Sequence, residues 1–289
     1  MRKGILLPLC VLSLMTLGQP IAAEEAEAIG DTGTDPRDFA PKFMPYYRYT
    51  ELENGLEQQE VVMFGLLDFS PKFAMTYEIP LAVERDVSNT ALENPDGTCG
   101  PGSGRPGEGL PPISFSSDCD EVGIGDMNLR FMYRTDWDFL GGDWLVQSEL
   151  WFPTATDERL GSEQFQLAPG FTYVRDIGAW PAPGAFFALM NFYQFDVFGE
   201  DERDDVSMYK GRWFFMLPLH PSGIYALPEI QPIYDFEDDE FSLWIGPEIG
   251  KLLAPGRIIY IKPGFGIDPD AENGDREWTL EVGFRYFFD

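Results

Sequence analysis

The sequence contains very little histidine and cysteine. Its 289 residues include a single histidine, His220, and three cysteines. A serine hydrolase needs a histidine base within hydrogen-bond reach of its nucleophile, and His220 stands beside Pro221 in a predicted turn. An acid–base mechanism that uses carboxylates alone stays open, because carboxylates are abundant and no spacing singles out a pair. The sequence therefore predicts a protein that is not an enzyme, with no catalytic residues, no cofactor and no metal site.

Basic residues are also scarce. The chain has 20 Lys and Arg against 49 Asp and Glu, which gives a formal net charge of −29. Binding to nucleic-acid phosphates requires clusters of Lys and Arg, so this charge balance argues against nucleic acid as a partner. It is compatible with bound divalent cations, or with an acidic outer surface that keeps the protein solvated.

Only one long apolar run is present, at residues 5–17, and it follows Arg2 and Lys3. Ala23 offers a small residue for cleavage, so residues 1–23 are predicted to be a secretory signal peptide. Without Arg2 and Lys3, the mature chain has 18 basic and 49 acidic residues, a net charge of −31. A transmembrane helix needs roughly 20 apolar residues, and no later stretch provides them. The remaining way to cross a membrane is a closed β-barrel.

Two cysteines remain after the signal peptide, Cys99 and Cys119. An even pair in an exported protein suggests a disulfide, because disulfides persist in oxidising compartments. Closing this loop would remove about 3 kcal/mol of unfolded-chain entropy. Free thiols and a metal site are the alternatives.

Residues 24–42 form an acidic leader. Up to about Arg37, its only large apolar residue is Ile29. A segment with so little to bury is predicted to be disordered.

From residue 43 to residue 289, apolar and polar residues alternate with a period of two. The clearest case is 277–288, and the residues on its apolar face are Trp278, Leu280, Val282, Phe284, Tyr286 and Phe288. Strands of soluble sandwiches alternate in the same way, but they usually have about 5–6 residues. Tilted strands that span a membrane need about 9–11. The long alternation predicts an all-β fold, a transmembrane antiparallel β-barrel.

About 12 strands are predicted, separated by two kinds of connection. The strands lie near 43–51, 59–69, 73–85, 124–136, 143–153, 163–175, 184–197, 206–218, 224–236, 241–251, 257–267 and 277–288. Short turns rich in Pro and Gly alternate with longer acidic connections. Outer-membrane barrels of Gram-negative bacteria have short periplasmic turns and longer outer loops. With both termini in the periplasm, every acidic loop lies outside the cell.

The faces opposite the apolar ones supply the candidate side chains of the lumen. They are Glu78, Asp126, Arg130, Arg134, Glu149, Trp151, Arg212, Tyr225, Glu229, Trp244, Glu248, Tyr260, Lys262, Glu281 and Arg285. Among them, Asp126 shares a face with Arg130 and Arg134. A barrel of this size has an interior too wide for small side chains to fill. The mixture of charges and aromatic rings predicts either a narrow channel, which is the favoured interpretation, or a closed lumen whose charges cancel.

Two stretches of the sequence resemble a known family. They are 64–68, which runs into 73–81, and 123–131, which begins Gly-x-Gly-Asp. The chain resembles outer-membrane transporters associated with the meta-cleavage pathway of phenol degradation. The resemblance implies a cell outer membrane location and the transport of small, hydrophobic or aromatic solutes. The alternatives are a structural outer-membrane barrel without transport, and a soluble secreted β-sandwich with a binding role.

The expected partners follow from this interpretation. They are outer-membrane lipid, small solutes and the barrel-assembly machinery, with no nucleic acid. The aromatic residues before Phe288 resemble the assembly signal of outer-membrane barrels, although Asp289 follows.

Overall fold

The computed structural model describes residues 32–52, 57–86, 120–157, 160–177, 184–199, 205–220, 222–267 and 276–288. The expected signal peptide and the Cys99–Cys119 disulfide lie outside these residues and stay predictions.

Within the described ranges the chain forms sixteen β-strands and one short 3-10 turn, Phe139–Gly141. The strands are β1 Lys42–Phe43, β2 Tyr46–Leu52, β3 Glu57–Ser70, β4 Phe73–Asp86, β5 Asp120–Gly123, β6 Met127–Arg134, β7 Asp143–Phe152, β8 Gln164–Asp176, β9 Phe186–Gly199, β10 Ser207–His220, β11 Ile224–Leu227, β12 Glu229–Asp235, β13 Glu240–Ile245, β14 Glu248–Ala254, β15 Arg257–Ile267 and β16 Arg276–Phe287. No helix in these ranges has the length and apolar character needed to cross a lipid bilayer.

In four places, two short strands in succession form one transmembrane strand: β1 with β2, β5 with β6, β11 with β12, and β13 with β14. Pro45, Pro228 and Pro247 stand at three of these breaks, where proline has no N–H to donate to the ladder. The result is twelve transmembrane strands. This confirms the predicted number, and the differences from the predicted ranges lie at the breaks and the strand ends.

The sheet closes on itself through β16. On one side β16 pairs with β15, where Glu281 is opposite Lys262. On the other side it pairs with β2, where the same Glu281 is opposite Arg48. Every neighbouring pair is antiparallel, so the described strands form a closed antiparallel barrel. This confirms the predicted fold class.

The barrel exposes large apolar side chains on its outer wall. Those that alternate outward along the strands include Val61, Leu67, Phe69, Val146, Phe171, Val197, Trp213, Phe215, Ile230, Ile249, Ile261 and Phe265. An exposed apolar surface of this extent is unusual for a soluble protein and typical of a barrel that faces lipid. The chain is an outer-membrane barrel, and the soluble β-sandwich alternative is wrong, because the sheet is closed.

The two ends of the barrel differ. At one end, called the turn end, short turns join β3 to β4 at 71–72 and β14 to β15 at 255–256. Gly256 takes φ +68° there, a left-handed conformation that glycine adopts without a steric penalty. The other end, called the loop end, carries the connections that the sequence analysis assigns to the outside.

The inner wall near the turn end is apolar. Its buried residues form one cluster, which includes Phe39, Leu66, Ala74, Met132, Leu145, Phe186, Met216 and Ile258. The ion pairs of Arg48, Arg130 and Glu229 lie beyond this cluster, toward the middle of the barrel. Arg37 and the Glu248–Arg285 pair lie beside the cluster, so apolar and charged side chains share the turn end of the lumen.

Heat-modifiable migration is expected on a gel. All ladder hydrogen bonds lie within one closed sheet, so sodium dodecyl sulfate without heating should leave the barrel compact. We expect unboiled and boiled samples to run at different positions. Identical mobility of a refolded sample before and after boiling would contradict the closed barrel.

Candidate functional site: the barrel lumen

The N-terminal segment, defined as residues 32–41, crosses the lumen near the turn end. On one wall, Arg285 of β16 donates a hydrogen bond to the carbonyl oxygen of Thr32 at 3.3 Å. On the other wall, Arg37 pairs with Asp176 of β8 at 2.7 Å. β16 and β8 are six strands apart in either direction around the barrel. The N-terminal segment therefore extends across the whole width of the lumen.

The expectation of a disordered leader at 24–42 is wrong for its described part. Phe39 is 7% exposed and belongs to the apolar cluster. Lys42 is buried and its Nζ pairs with Asp38 at 2.8 Å. The composition argument counted only the apolar area that the leader could bury. The lumen supplies partners for its charged groups as well, and the rest of the leader lies outside the described residues.

Arg37 is the main anchor of the N-terminal segment. Its guanidinium contacts Asp35 at 2.8 Å, Asp176 at 2.7 Å and Asp143 at 3.0 Å. It also lies over the ring of Phe186, 5.5 Å from the centroid. Burial lowers the pKa of Arg37, but the hydrogen bonds to the three carboxylates and the charge of Asp35 outweigh this effect and raise the pKa above its ordinary value. Arg37 is therefore permanently charged.

One charged group of the lumen links β2, β3 and β16. Arg48 contacts Glu281 at 3.0 Å and Glu60 at 3.2 Å. The Tyr260 hydroxyl donates a hydrogen bond to Glu281 at 2.9 Å. Two carboxylates share one arginine here, and a tyrosine hydroxyl satisfies one of them. Because the three strands are neighbours where β16 pairs with β2 and closes the barrel, this group also stabilises that closure.

A second group surrounds Glu229 at the start of β12. Glu229 is 0% exposed and accepts contacts from Arg212 and from Lys262, both at 2.8 Å. The Arg212 side chain is 39% exposed although it points inward from β10. Solvent therefore reaches this part of the lumen. One carboxylate is shared by two cations, so the group carries an excess positive charge.

A third group is fully buried. Arg285 pairs with Glu248 through two contacts of 2.7 Å. The Tyr225 hydroxyl donates a hydrogen bond to Glu248 at 2.7 Å, and Arg285 lies over the Tyr260 ring at 4.2 Å. A buried ion pair is stable only when its remaining hydrogen-bonding groups are satisfied, and these partners satisfy them.

A fourth group lines the wall from β6 to β10. The Arg130 Nε donates to Glu149 at 2.7 Å, and the Arg130 guanidinium lies over the Phe192 ring at 5.3 Å. The Lys210 ammonium lies 5.6 Å from the Trp151 ring centroid. Here cations contact aromatic rings as well as a carboxylate, which is a favourable arrangement in a partly desolvated site.

Two further predicted lumen residues contact β2 and the N-terminal segment. Glu78 accepts a hydrogen bond from the Tyr46 hydroxyl at 2.6 Å. Arg134 lies over the Phe39 ring at 5.3 Å. Both side chains thus help to position the N-terminal part of the chain inside the barrel.

Asp126 departs from its predicted place beside Arg130 and Arg134. It stands in the break between β5 and β6, and its carboxylate accepts hydrogen bonds from the Ser162 N–H at 2.6 Å and the Ser162 hydroxyl at 2.8 Å. It also accepts one from the Ala155 N–H at 3.1 Å. Asp126 therefore anchors the loop between β7 and β8, because the chain bends away from the ladder where β5 ends.

Three predicted aromatic residues do not offer a ring face to the lumen. Tyr225 is 0% exposed, and Tyr260 and Trp244 are also buried. Tyr225 lies against Gly250 and Tyr260 lies against Gly283, so close that a Cβ on either glycine would collide with the ring. These three residues are on the inner side of the barrel, as the sequence predicts, but their rings are covered because they lie flat on the wall. Trp151 is only partly buried.

The sequence analysis missed Arg48 and Glu60. Arg48 alternates with Tyr46 and Thr50 on the inner face of β2. The outward positions of the same strand include Tyr47. Because both faces of β2 carry an aromatic residue, the alternation did not show which face points inward. Arg48, the single basic residue of this strand, could have identified the inward face.

The closed barrel with a polar interior defines the class of the protein, an outer-membrane β-barrel. Among solved structures, it is similar to an outer membrane channel from Pseudomonas putida F1, with a TM-score of 0.60 and 14% identity over 88% of this chain and 100% of that chain. It is also similar to the NanC porin, with a TM-score of 0.55 and 8% identity over 86% and 100%. At these identities the similarity establishes the fold. No family model matches the sequence, and a search of curated proteins finds no relative.

Proposed function

We propose that the protein is an outer-membrane channel that passes small hydrophobic or aromatic solutes. The observation that carries the proposal is the exposure of Arg212, whose side chain points inward and is still 39% exposed. Because the Arg212 side chain lies on the inner face of β10, the space to which it is exposed lies inside the barrel. The structural neighbours are named as a channel and a porin, which supports a transport role.

The preference for aromatic solutes rests on the family resemblance and on Trp151. This ring is partly buried on the inner wall beside Lys210. Weak contacts suit a passage, because a solute must be released after it binds. The association with phenol degradation and the dependence on the barrel-assembly machinery are parts of the same proposal. We propose no catalytic role for the chain.

A structural barrel without transport is the second candidate. It is favoured by the N-terminal segment, which crosses the lumen, and by the buried Glu248–Arg285 pair. In this case the charges of the interior would serve only to hold the wall together.

Conductance and solute flux separate the two candidates. We expect single-channel currents in planar bilayers and swelling of protein-containing liposomes in phenylalanine or leucine, two zwitterions that lipid alone passes slowly. Phenylalanine should enter at least as fast as leucine although it is larger. Liposomes with heat-denatured protein are the control. If the protein gives neither single-channel current nor liposome swelling, the structural barrel without transport is the better account.

A further inference from the structure

The middle of the lumen contains a band of basic side chains. Arg130 projects from β6, Lys210 and Arg212 from β10, and Lys262 from β15, all on inner faces. We call these four residues the central basic band. They are connected through shared neighbours, since Arg130 lies over Phe192 and Phe192 is the register partner of Lys210. The band therefore surrounds one region of the passage.

The carboxylates of this region do not balance its positive charge at Glu229. This one carboxylate, 0% exposed, contacts both Arg212 and Lys262. Two positive charges meet one negative charge at this point of the wall. The neighbouring Arg48 has two carboxylates, and one of them, Glu281, stands opposite Lys262, so the positive excess is local and lies on the Arg212 side of Glu229. In addition, the Arg212 Nε is buried and has no hydrogen-bond partner among the described residues. The site thus has positive charge and an unpaired donor, the Arg212 Nε–H. A negatively charged hydrogen-bond acceptor would stabilise both.

An aromatic surface lies in the same region. Trp151 contacts Lys210 through its ring, and its indole N–H is a second buried donor without a partner among the described residues. A group with oxygen acceptors could satisfy it. A flat apolar body attached to an anionic group would match both the ring and the donors.

We propose that the central basic band makes the channel selective for anions, and that its solutes are small aromatic carboxylates. This inference rests on the proposed channel function. A carboxylate would accept hydrogen bonds from Arg212 and Trp151, and its ring would lie near the Trp151 ring.

The net charge of −29 by itself favours cations. The charge of the outer loops and the charge of the central basic band act over different distances. Charges on solvated loops are screened over about 10 Å at 0.1 M salt. Charges inside a narrow wall of low dielectric act on every ion that passes and are screened less. The interior should therefore decide the selectivity, and the preference for anions should persist as the salt concentration rises.

The reversal potential of the full chain in a KCl gradient tests this inference. Chloride should permeate several-fold better than potassium. Arg212→Gln leaves Lys262 paired with Glu229 and should bring the ratio toward one. Lys262→Gln, with the same loss of charge, is a second variant in case the first does not fold. Lys251→Gln removes an exposed cation on the outward face of β14 and should leave the ratio unchanged.

Potassium salts of benzoate and cyclohexanecarboxylate test the aromatic part. Benzoate should permeate better than its saturated analogue, and Trp151→Leu should remove the difference. A preference for potassium, or a chloride preference that both Arg212→Gln and Lys262→Gln leave unchanged, would overturn the inference while the channel function stands. A barrel that conducts no ions at all would overturn the channel function itself.

Discussion

Deletion of the N-terminal segment, residues 32–41, is expected to raise the single-channel conductance several-fold. The segment extends from Arg285 on one wall to Asp176 on the opposite wall, so it occupies the cross-section through which ions must pass. Its removal leaves the twelve-strand wall intact, because the described ladder begins at Lys42. Planar-bilayer recordings on the complete and the shortened protein measure the effect.

A milder variant should show how the N-terminal segment is held. Arg37→Ala removes the side chain that contacts three carboxylates, so openings to the larger conductance should become more frequent. The control is Arg257→Ala, which removes one exposed cation at the turn end, on the outward face. If the shortened protein conducted no better than the complete one, the N-terminal segment would not be the constriction.

Replacement of Glu248 by leucine is expected to destabilise the barrel by about 3–5 kcal/mol, because a buried Arg285 loses its counter-charge. Arg285→Met should have an effect of similar size. The double variant should recover much of the loss, since apolar residues can replace a buried ion pair at little cost. Urea unfolding in lipid vesicles measures these free energies.

A residue on the outer wall supplies a matched control for these two single variants and the double variant. Lys251→Met changes a cation on the exposed face of the same strand, β14, and should change stability by less than about 0.5 kcal/mol. Single variants at Glu248 and Arg285 that are as stable as this control would contradict the buried pair. Equal effects without recovery in the double variant would show that the two residues act separately.

The sequence determines the strands of this barrel to a large extent. β4 and β16 lie almost where alternation predicts them, at Phe73–Asp86 and Arg276–Phe287, because lipid and water impose a period of two on a strand. The breaks depend on local chemistry too. The predicted strand 224–236 is divided at Pro228, a residue that cannot donate to a ladder.

The position of the N-terminal segment could not be predicted in this way. Its partners Asp143, Asp176 and Arg285 are more than one hundred residues away in the chain, and only the closure of the barrel brings them together. The leader carries few apolar residues, so composition alone indicated disorder.

The burial of the aromatic residues also depends on contacts between neighbouring strands, which the sequence of one strand does not show. Tyr225 is covered because Gly250 stands opposite it on the next strand. This pairing depends on the register between β11 and β14, and alternation within one strand contains no information about register. Alternation predicted that Tyr225 points inward, and it could not show whether the ring lies flat on the wall.

The most direct test of the central claim asks whether the current passes Arg212. Arg212→Cys places a thiol at a partly exposed position of the inner wall, where a bulky methanethiosulfonate reagent can react. Lys251→Cys places one on the outward face of β14, and the unchanged protein reports any reaction at Cys99 and Cys119. We expect the reagent to reduce the single-channel conductance of Arg212→Cys and to leave the other two proteins unchanged. Complete labelling of Arg212→Cys without any change in conductance would contradict a passage through the lumen.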